Sequence, residues 1–413
     1  MFEDYLRMKG LSIVSFSKQT GIPISTLRNL NKIRYDKWKI RYLEELSNVL
    51  NKTIQEIIEE LKNMGEKVVF TGSVLDGKYD IENRRYIGSK NKLITWIKSL
   101  IVEETEGSSF LDLFAGTGVV SKNMLDIYNS FFINDFLYSN EVIYKAFFST
   151  ESFNENVIKN KEKNYQNLTV RKENYFSKNY GGKFFSNNDA IVIGEIREDI
   201  DKDKSLSDRE KSILLASLIY SCDKVANTVG HYDAYRKKIQ IEDRFKFELI
   251  KPIDTTGKDI FIYRVDANEL VKKIKADVVF IDPPYNSRQY SRFYHLLENL
   301  VKWTKPELEG VAMKPPVENM SEYSKTKAPE KFDELIQNID AKYIVVTYNN
   351  TYASKSNSSK NKITHDQIIS SLSKVGSTRQ FEQEYQFFNA GKTDLKDHKE
   401  FVFITKVGIF NEK

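Results

Sequence analysis

Phe110-Leu111-Asp112-Leu113-Phe114-Ala115-Gly116-Thr117-Gly118 decides how the chain is built. An apolar, β-rich run ends in two glycines and an apolar helical stretch follows at once, so strand turns into helix where the backbone can approach a ligand closely. The third glycine of a dinucleotide-binding GxGxxG is missing, and no Lys-Ser or Lys-Thr follows as in a P-loop, so a pyrophosphate is disfavoured. Asp112, Phe114, Ala115, Gly116 and Gly118 are the candidate contacts. Seventeen residues after Gly118, Asp135 follows the apolar run Phe131 to Asn134. There a carboxylate can accept hydrogen bonds from both hydroxyls of a ribose. An adenosine-containing ligand without phosphates satisfies both observations. A structural turn, with Asp135 as a helix cap, is the plainer alternative.

Outward from this turn, Val278 to Ile281 and Tyr343 to Thr347 are further short apolar β runs separated by helical stretches, the pattern of a buried parallel sheet with helices on both faces. Phe401 to Thr405 reads as a final strand at the sheet's edge. Residues 151–258 break the rhythm: they are polar and tyrosine-rich, with one helix expected over Leu206 to Val225, and read as an insertion forming its own lobe. Thr351 to Lys362, with three lysines and no acid, reads as a loop. Residues 1–64 read as helices only, from apolar positions at helical spacing such as Leu43, Leu46, Leu50 and Ile54, Ile57, Ile58, Leu61. Thr53 with Glu56 makes a capping box for the last of these helices, and Lys62 to Gly65 its expected end. The expected organisation is therefore a helical domain over 1–64, a catalytic domain in two parts over 65–150 and 259–413, and an insertion over 151–258.

With 413 residues, 40% hydrophobic and 13% aromatic, the chain has material for more than one globular core. A net charge of +5 is compatible with a polyanionic partner only through local basic surface. Cys222 is the single cysteine, which excludes an intrachain disulfide and, with four scattered histidines, a four-ligand zinc site; no metal is expected. A charged amino terminus and the lack of any apolar run of about 18 residues point to a soluble, cytoplasmic protein without membrane contact.

Asp282-Pro283-Pro284-Tyr285 follows its strand directly, at the same sheet edge as the glycine turn, so the two sites can share one reaction. An exocyclic amine of a base is a poor nucleophile because its lone pair is delocalised, and acceptors aimed at its two N–H groups favour the tetrahedral form that attacks a methyl sulfonium. Asp282 and the Pro283 carbonyl can supply those acceptors, the prolines fix the geometry, and Tyr285 offers a ring for stacking. A rigid proline turn is the alternative.

On these motifs the chain resembles the Dam-type, α-group N6-adenine DNA methyltransferases of restriction-modification systems, over about residues 82–407. Arg85-Tyr86-Ile87-Gly88-Ser89-Lys90 is similar to the family's first cofactor motif, and Asp282 to Trp303 is similar to the FokI-type modification enzymes in particular. The resemblance implies a Rossmann-like, S-adenosylmethionine-dependent methyltransferase sheet with an inserted target-recognition lobe. It implies that Tyr86 and Lys90 contact the methionine end of S-adenosylmethionine, that Asp135 holds its ribose, that Asp266 lies beside its adenine, and that Asp282 to Tyr285 form the catalytic loop. Asn227 to Lys238 also looks like a FokI-type segment, which makes Asn227, His231, Tyr232 and Arg236, with Arg288, candidates for contacting double-stranded DNA; an internally bonded loop and, for Asp266, a helix cap are the alternatives. A cognate restriction endonuclease would be the system partner.

A cytosine-C5 mechanism is excluded, since Cys222 stands in Tyr220-Ser221-Cys222-Asp223 within an expected helix rather than in a Pro-Cys loop. Cytosine N4 is chemically close but usually goes with Ser before the prolines, and RNA adenine stays open, as does a DNA-binding regulator on an inactive scaffold. Phe16 to Arg28 resembles the helix-turn-helix of Cro/repressor-type regulators, with Ser25 as the expected N-cap and Arg28, Lys32 and Arg34 facing DNA, which could be operator DNA of its own gene. Residues 1–41 carry nine Lys or Arg against three acids, so this half is the basic one.

Overall fold

The computed structural model describes residues 2–9, 11–30, 35, 38–67, 75–170, 172–351, 360–384 and 399–408. The chain divides into two compact units, Met1–Ser73 and Val74–Lys413.

The first unit is helical: Phe2–Met8, Ile13–Thr20, Ile24–Leu30, Ile40–Leu50 and Ile54–Lys67. Phe2, Phe16, Leu27, Leu46, Ile57 and Leu61 close its core, with the Phe2 ring edge-on to Phe16 and Trp38. Gly21, at φ 68°, ends the second helix in the left-handed conformation and donates its N–H to Ser17 O at 2.9 Å. The turn read from sequence is there, but the next helix starts at Ile24, so Ser25 is its second residue rather than its cap. The Thr53–Glu56 capping box forms in both directions, at 2.8 and 3.2 Å. The last helix runs past Gly65 to Lys67, because one glycine costs a helix only about 1 kcal/mol. Lys32, Arg34 and the Arg28 side chain lie outside the described residues.

The second unit is built on a seven-stranded sheet of β1 (Ser109–Asp112), β2 (Ser130–Asn134), β3 (Asp259–Tyr263), β4 (Lys275–Ile281), β5 (Asp340–Asn349), β6 (Gly376–Glu384) and β7 (Lys399–Val407), in the order β3-β2-β1-β4-β5-β7-β6. β1 to β5 are parallel, whereas β7 runs antiparallel to β5 and β6. Phe110, Val278, Val345 and Ile404 face one core, and Leu111, Val279, Ile344 and Phe403 the other, so both faces are covered. Each such side chain contributes about 1.5–3 kcal/mol by leaving water.

Two expectations change here. β7 is not an edge strand: its residues 400–405 are buried, as in a strand covered on both faces, and β6 takes the edge. Residues 151–258 do not form a lobe of their own. Their helices Glu155–Gln166, Tyr175–Tyr180, Asn187–Lys202 and Asp208–Val225 place Phe176, Ile193, Ile213 and Leu218 in the same core as Phe110 and Val278. The polar residues that suggested a lobe are the outer faces of these helices.

Candidate active site

The parallel strands end along one edge, which gathers the motifs. Asp112 closes β1 and is buried; its Oδ2 accepts from the Ser121 N–H at 3.2 Å and hydroxyl at 2.7 Å, while Oδ1 has no partner among the described residues. Gly116 and Gly118 take φ of 53° and 78°. A Cβ on Gly118 would stand 2.9 Å from Ile81 Cδ1, so close packing also demands glycine there. Asp135 accepts from the Gly116 N–H and the Leu137 N–H, each at 3.0 Å, and so ties the turn after β1 to the turn after β2. The Ala115 N–H reaches Asn134 O at 2.9 Å, and the Phe114 ring meets Tyr323 edge-on. Asp266, beyond β3, caps the helix Ala267–Leu270 by accepting from the Asn268 N–H at 2.9 Å.

Burial pushes the Asp112 carboxyl up to about 7; the Ser121 hydrogen bonds oppose this, and the charges of Asp282 and Asp135 add to it. Burial raises Asp135 as well. A buried edge crowded with carboxylates repels phosphate and favours a ligand that brings positive charge and hydroxyl donors.

Asp282 follows β4 directly. Its Oδ1 is held from three sides: by Lys90 Nζ at 3.0 Å, by the Thr347 hydroxyl of β5 at 2.9 Å, and by the Tyr285 hydroxyl. Among the described residues nothing donates to Oδ2 or to the Pro283 carbonyl. Lys90 Nζ also reaches Glu400 Oε1 at 3.0 Å and donates to the Tyr285 hydroxyl at 2.6 Å. Burial alone would lower Lys90, but the Asp282 and Glu400 charges hold it above the ordinary lysine range. Glu400 is raised by burial in spite of Lys90. The Tyr285 ring packs edge-on against Tyr348, 4.6 Å between centroids, so hydroxyl and ring are both engaged.

Glu400 and Thr347 were not among the residues singled out from sequence. The signal for Glu400 was an acid at the head of the apolar run Phe401 to Thr405, meaningful only once that strand is known to be interior.

The segment carrying Lys90 is clamped to the segment after Asp282. Tyr86 stacks on Tyr294 at 4.8 Å and 6°, the Ile87 N–H donates to the Tyr294 hydroxyl at 2.8 Å, and the Tyr290 hydroxyl donates to Ile87 O at 3.1 Å. Buried Arg84 donates to Asn140 Oδ1 and lies over the Tyr86 and Tyr294 rings. His295, lowered to about 4 by burial, and Glu298, which accepts from the Tyr138 and Ser139 N–H groups, are interior supports.

The DNA candidates separate. Arg236 is exposed. Asn227 is buried, with Nδ2 donating to Lys183 O at 2.8 Å and Arg236 O at 3.0 Å. His231, half-buried, stacks on Phe293 at 4.5 Å, and the Arg288 guanidinium stands 5.7 Å from the same ring. Tyr232 is 2% exposed and donates to Asp223 Oδ1 at 2.6 Å, so it is a core residue and no surface contact: an aromatic with a buried polar partner reads like a binding aromatic in sequence.

The profile of the D12 class N6 adenine-specific DNA methyltransferases matches residues 86–355, from Tyr86 through the glycine turn to the loop at Asp282 and beyond. The StsI modification methylase of Streptococcus sanguinis is 38% identical over 286 residues, 64% of this chain and 44% of its own length. The type II methyltransferase M.FokI of Planomicrobium okeanokoites is 31% identical over 293 residues, again 64% of this chain and 44% of its own. M.NlaIII of Neisseria lactamica is 29% identical over 336 residues, 76% of this chain and 95% of its own length. The chain thus spans under half the length of the StsI and FokI enzymes and nearly all of the NlaIII enzyme. With the profile covering well over half of its residues and the motifs meeting at one sheet edge, the chain belongs to the D12 class N6 adenine-specific DNA methyltransferase family.

Proposed function

We propose that this chain methylates the N6 amine of an adenine turned out of double-stranded DNA, as the modification enzyme of a restriction-modification system, with S-adenosylmethionine as donor. The observation that carries the reading is the Asp282 carboxylate: Oδ1 is fixed by Lys90, Thr347 and Tyr285, and among the described residues nothing donates to Oδ2 or to the Pro283 carbonyl. The residues at the glycine turn fit the donor, since Asp112 keeps a buried, unpartnered Oδ1 and the neighbouring carboxylates suit a cation. Tyr86, Lys90, Asp112, Phe114, Ala115, Gly116, Gly118, Asp135 and Asp266 would form or support its site. Bound there, S-adenosylmethionine supplies a methyl group whose bond pair leaves with sulfur. Asp282 Oδ2 and the Pro283 carbonyl accept the two amine N–H groups, which frees the nitrogen lone pair, and the proton lost on methylation departs through the acceptor at Asp282. Tyr285, steeply inclined to the Tyr348 ring and with the Lys90 ammonium 4.8 Å from its centroid, is the aromatic against which the base would stack.

The test is transfer of labelled methyl to mixed-sequence duplex DNA, with the product base identified. Asp282→Ala is expected to lower single-turnover transfer by at least about 10–100-fold while cofactor binding persists. Label in cytosine, in RNA alone, or undiminished in the variant sinks the reading.

The helical unit is read as a helix-turn-helix that contacts DNA, including operator DNA of the chain's own gene; the Gly21 turn and the basic charge of residues 1–41 support this. Among the described residues no helix is long and apolar enough to cross a membrane, and a cytoplasmic setting fits the one buried thiol, Cys222.

A further inference from the structure

Arg85, Lys224, Arg236 and Arg244 converge on one cavity of about 240 Å³ whose wall also includes Ala226, Asn227 and Thr228. No carboxylate lines it, and none of the four cations forms an ion pair among the described residues. Cations elsewhere, such as Lys98, Lys161 and Lys302, each meet a carboxylate within 2.7 Å; here four stand around one hollow without one among the described residues. Two buried acids lie close by: Asp189 accepts from the Arg244 backbone N–H at 3.0 Å, and Asp223, which feels the Arg85 charge, is taken up by the Tyr232 hydroxyl at 2.6 Å and faces the Arg84 guanidinium. Four like charges around one hollow repel one another, so the arrangement is stable to ligand-free solvent only because the side chains are exposed, and an anion entering it relieves the repulsion.

The cavity is also built. Ala226, Asn227 and Thr228 form its buried part, Asn227 Nδ2 pins the Arg236 carbonyl at 3.0 Å, and Thr228 pairs with Tyr235 as an isolated bridge. Arg85 comes from the segment that, five residues on, brings Lys90 to Asp282. An anion here therefore sits against the same strap that supports the catalytic carboxylate.

We infer that this cavity holds a backbone phosphate of the DNA substrate and so fixes the duplex relative to Asp282. The inference rests on the DNA-modifying reading above. The chemistry is that of a phosphodiester: a compact anion met by planar guanidinium forks and one ammonium, while of the two amides in the wall, Asn227 and Gln240, the first has its Nδ2 taken by the Lys183 and Arg236 carbonyls. A free phosphate or nucleotide has the same anionic group, and the experiment separates the two sources.

Full-length protein and its Arg236→Gln/Arg244→Gln variant are compared for binding to mixed-sequence duplex DNA between 50 and 200 mM salt, with thermal melting and S-adenosylmethionine binding as controls. The variant is expected to bind DNA roughly 10-fold more weakly at the lower salt, with the slope of log affinity against log salt reduced by about 1–2, and with unchanged melting and cofactor binding. Equal affinity and slope in the two proteins overturn the proposal, as does wild-type protein that fails to bind duplex at all. If inorganic phosphate or adenosine monophosphate at micromolar concentration raises the melting temperature of the wild type and not the variant, while DNA affinity is shared, the cavity serves a small anion and the DNA assignment falls. Absence of methyl transfer by a wild type that shows the expected DNA-binding difference would overturn the enzymatic reading and leave the phosphate site standing.

Discussion

Lys90 and Arg85 stand five residues apart and live under opposite electrostatic rules. Lys90 is 6% exposed and shared between the Asp282 and Glu400 carboxylates, whereas Arg85 is exposed and forms no ion pair among the described residues, its charge only being felt by buried Asp223. A charge removed from water must be compensated where it lies, so the Lys90 group is spent on geometry. A charge left in water costs the fold almost nothing and stays available to a visitor. Within one short segment the chain thus separates a fixed, buried charge from an open one that stays in water.

The largest test of this contrast is stability. Lys90→Met leaves the Asp282 and Glu400 carboxylates buried and facing each other, and is expected to lower unfolding free energy by about 3–5 kcal/mol. Arg244→Gln should change it by no more than about 0.5 kcal/mol in either direction. Urea titration measures both, and similar losses in the two variants would erase the distinction. Next comes Glu400→Gln, which leaves Lys90 to neutralise Asp282 alone and makes that carboxylate a weaker acceptor. We expect kcat to fall roughly 10-fold, with KM for DNA and cofactor little changed and stability not reduced. A KM effect, or no effect at all, would remove Glu400 as a positioning residue. Smallest is a pH effect at Asp112, whose carboxyl burial holds near 7, so that much of it is protonated below neutrality. A cationic ligand favours the ionised form, so cofactor affinity should rise about tenfold from pH 6 to pH 8 and binding should release a proton. The sign for stability is opposite: without ligand, the raised pKa costs the fold increasingly as pH climbs from about 4 through 7. Calorimetry in buffers of different ionisation enthalpy reads the proton, and Asp112→Asn should abolish its release.

What could be read in advance follows from where each signal resides. β1, β2, β4 and β5 were legible because strands buried on both faces are short apolar runs, and the turns at Gly116 and Asp282 were legible because glycine and proline mark backbone geometry directly. β3 and β6 escaped because much of their surface is exposed and their residues carry no continuous apolar run. Asp282 could be found from its neighbours in sequence; Glu400 could not, because it is joined to Asp282 only through a pairing of β5 and β7 that brings Asn349 opposite it. Sequence assigned Lys90 to a ligand and Tyr285 to stacking, whereas folding also gives the amine two carboxylates and the hydroxyl a place against Asp282. Tyr232 shows the reverse error, an aromatic assigned to the surface that a buried aspartate holds inside.

β7 has a consequence for the order in which the site can come into being. Because β7 enters the sheet between β5 and β6, ribosomal synthesis must proceed from Asp282 through Val407 before Glu400 can reach Lys90. At about 5–20 residues per second that interval is on the order of 6–25 s. In its second half, once β5 has been made, β5 presents an unpaired, apolar edge, the kind of surface on which nascent chains associate wrongly. Nascent chains halted before Lys399 are accordingly expected to lack methyl transfer and to require chaperone cover, because Lys90 has no Glu400 to pair with until that strand is made.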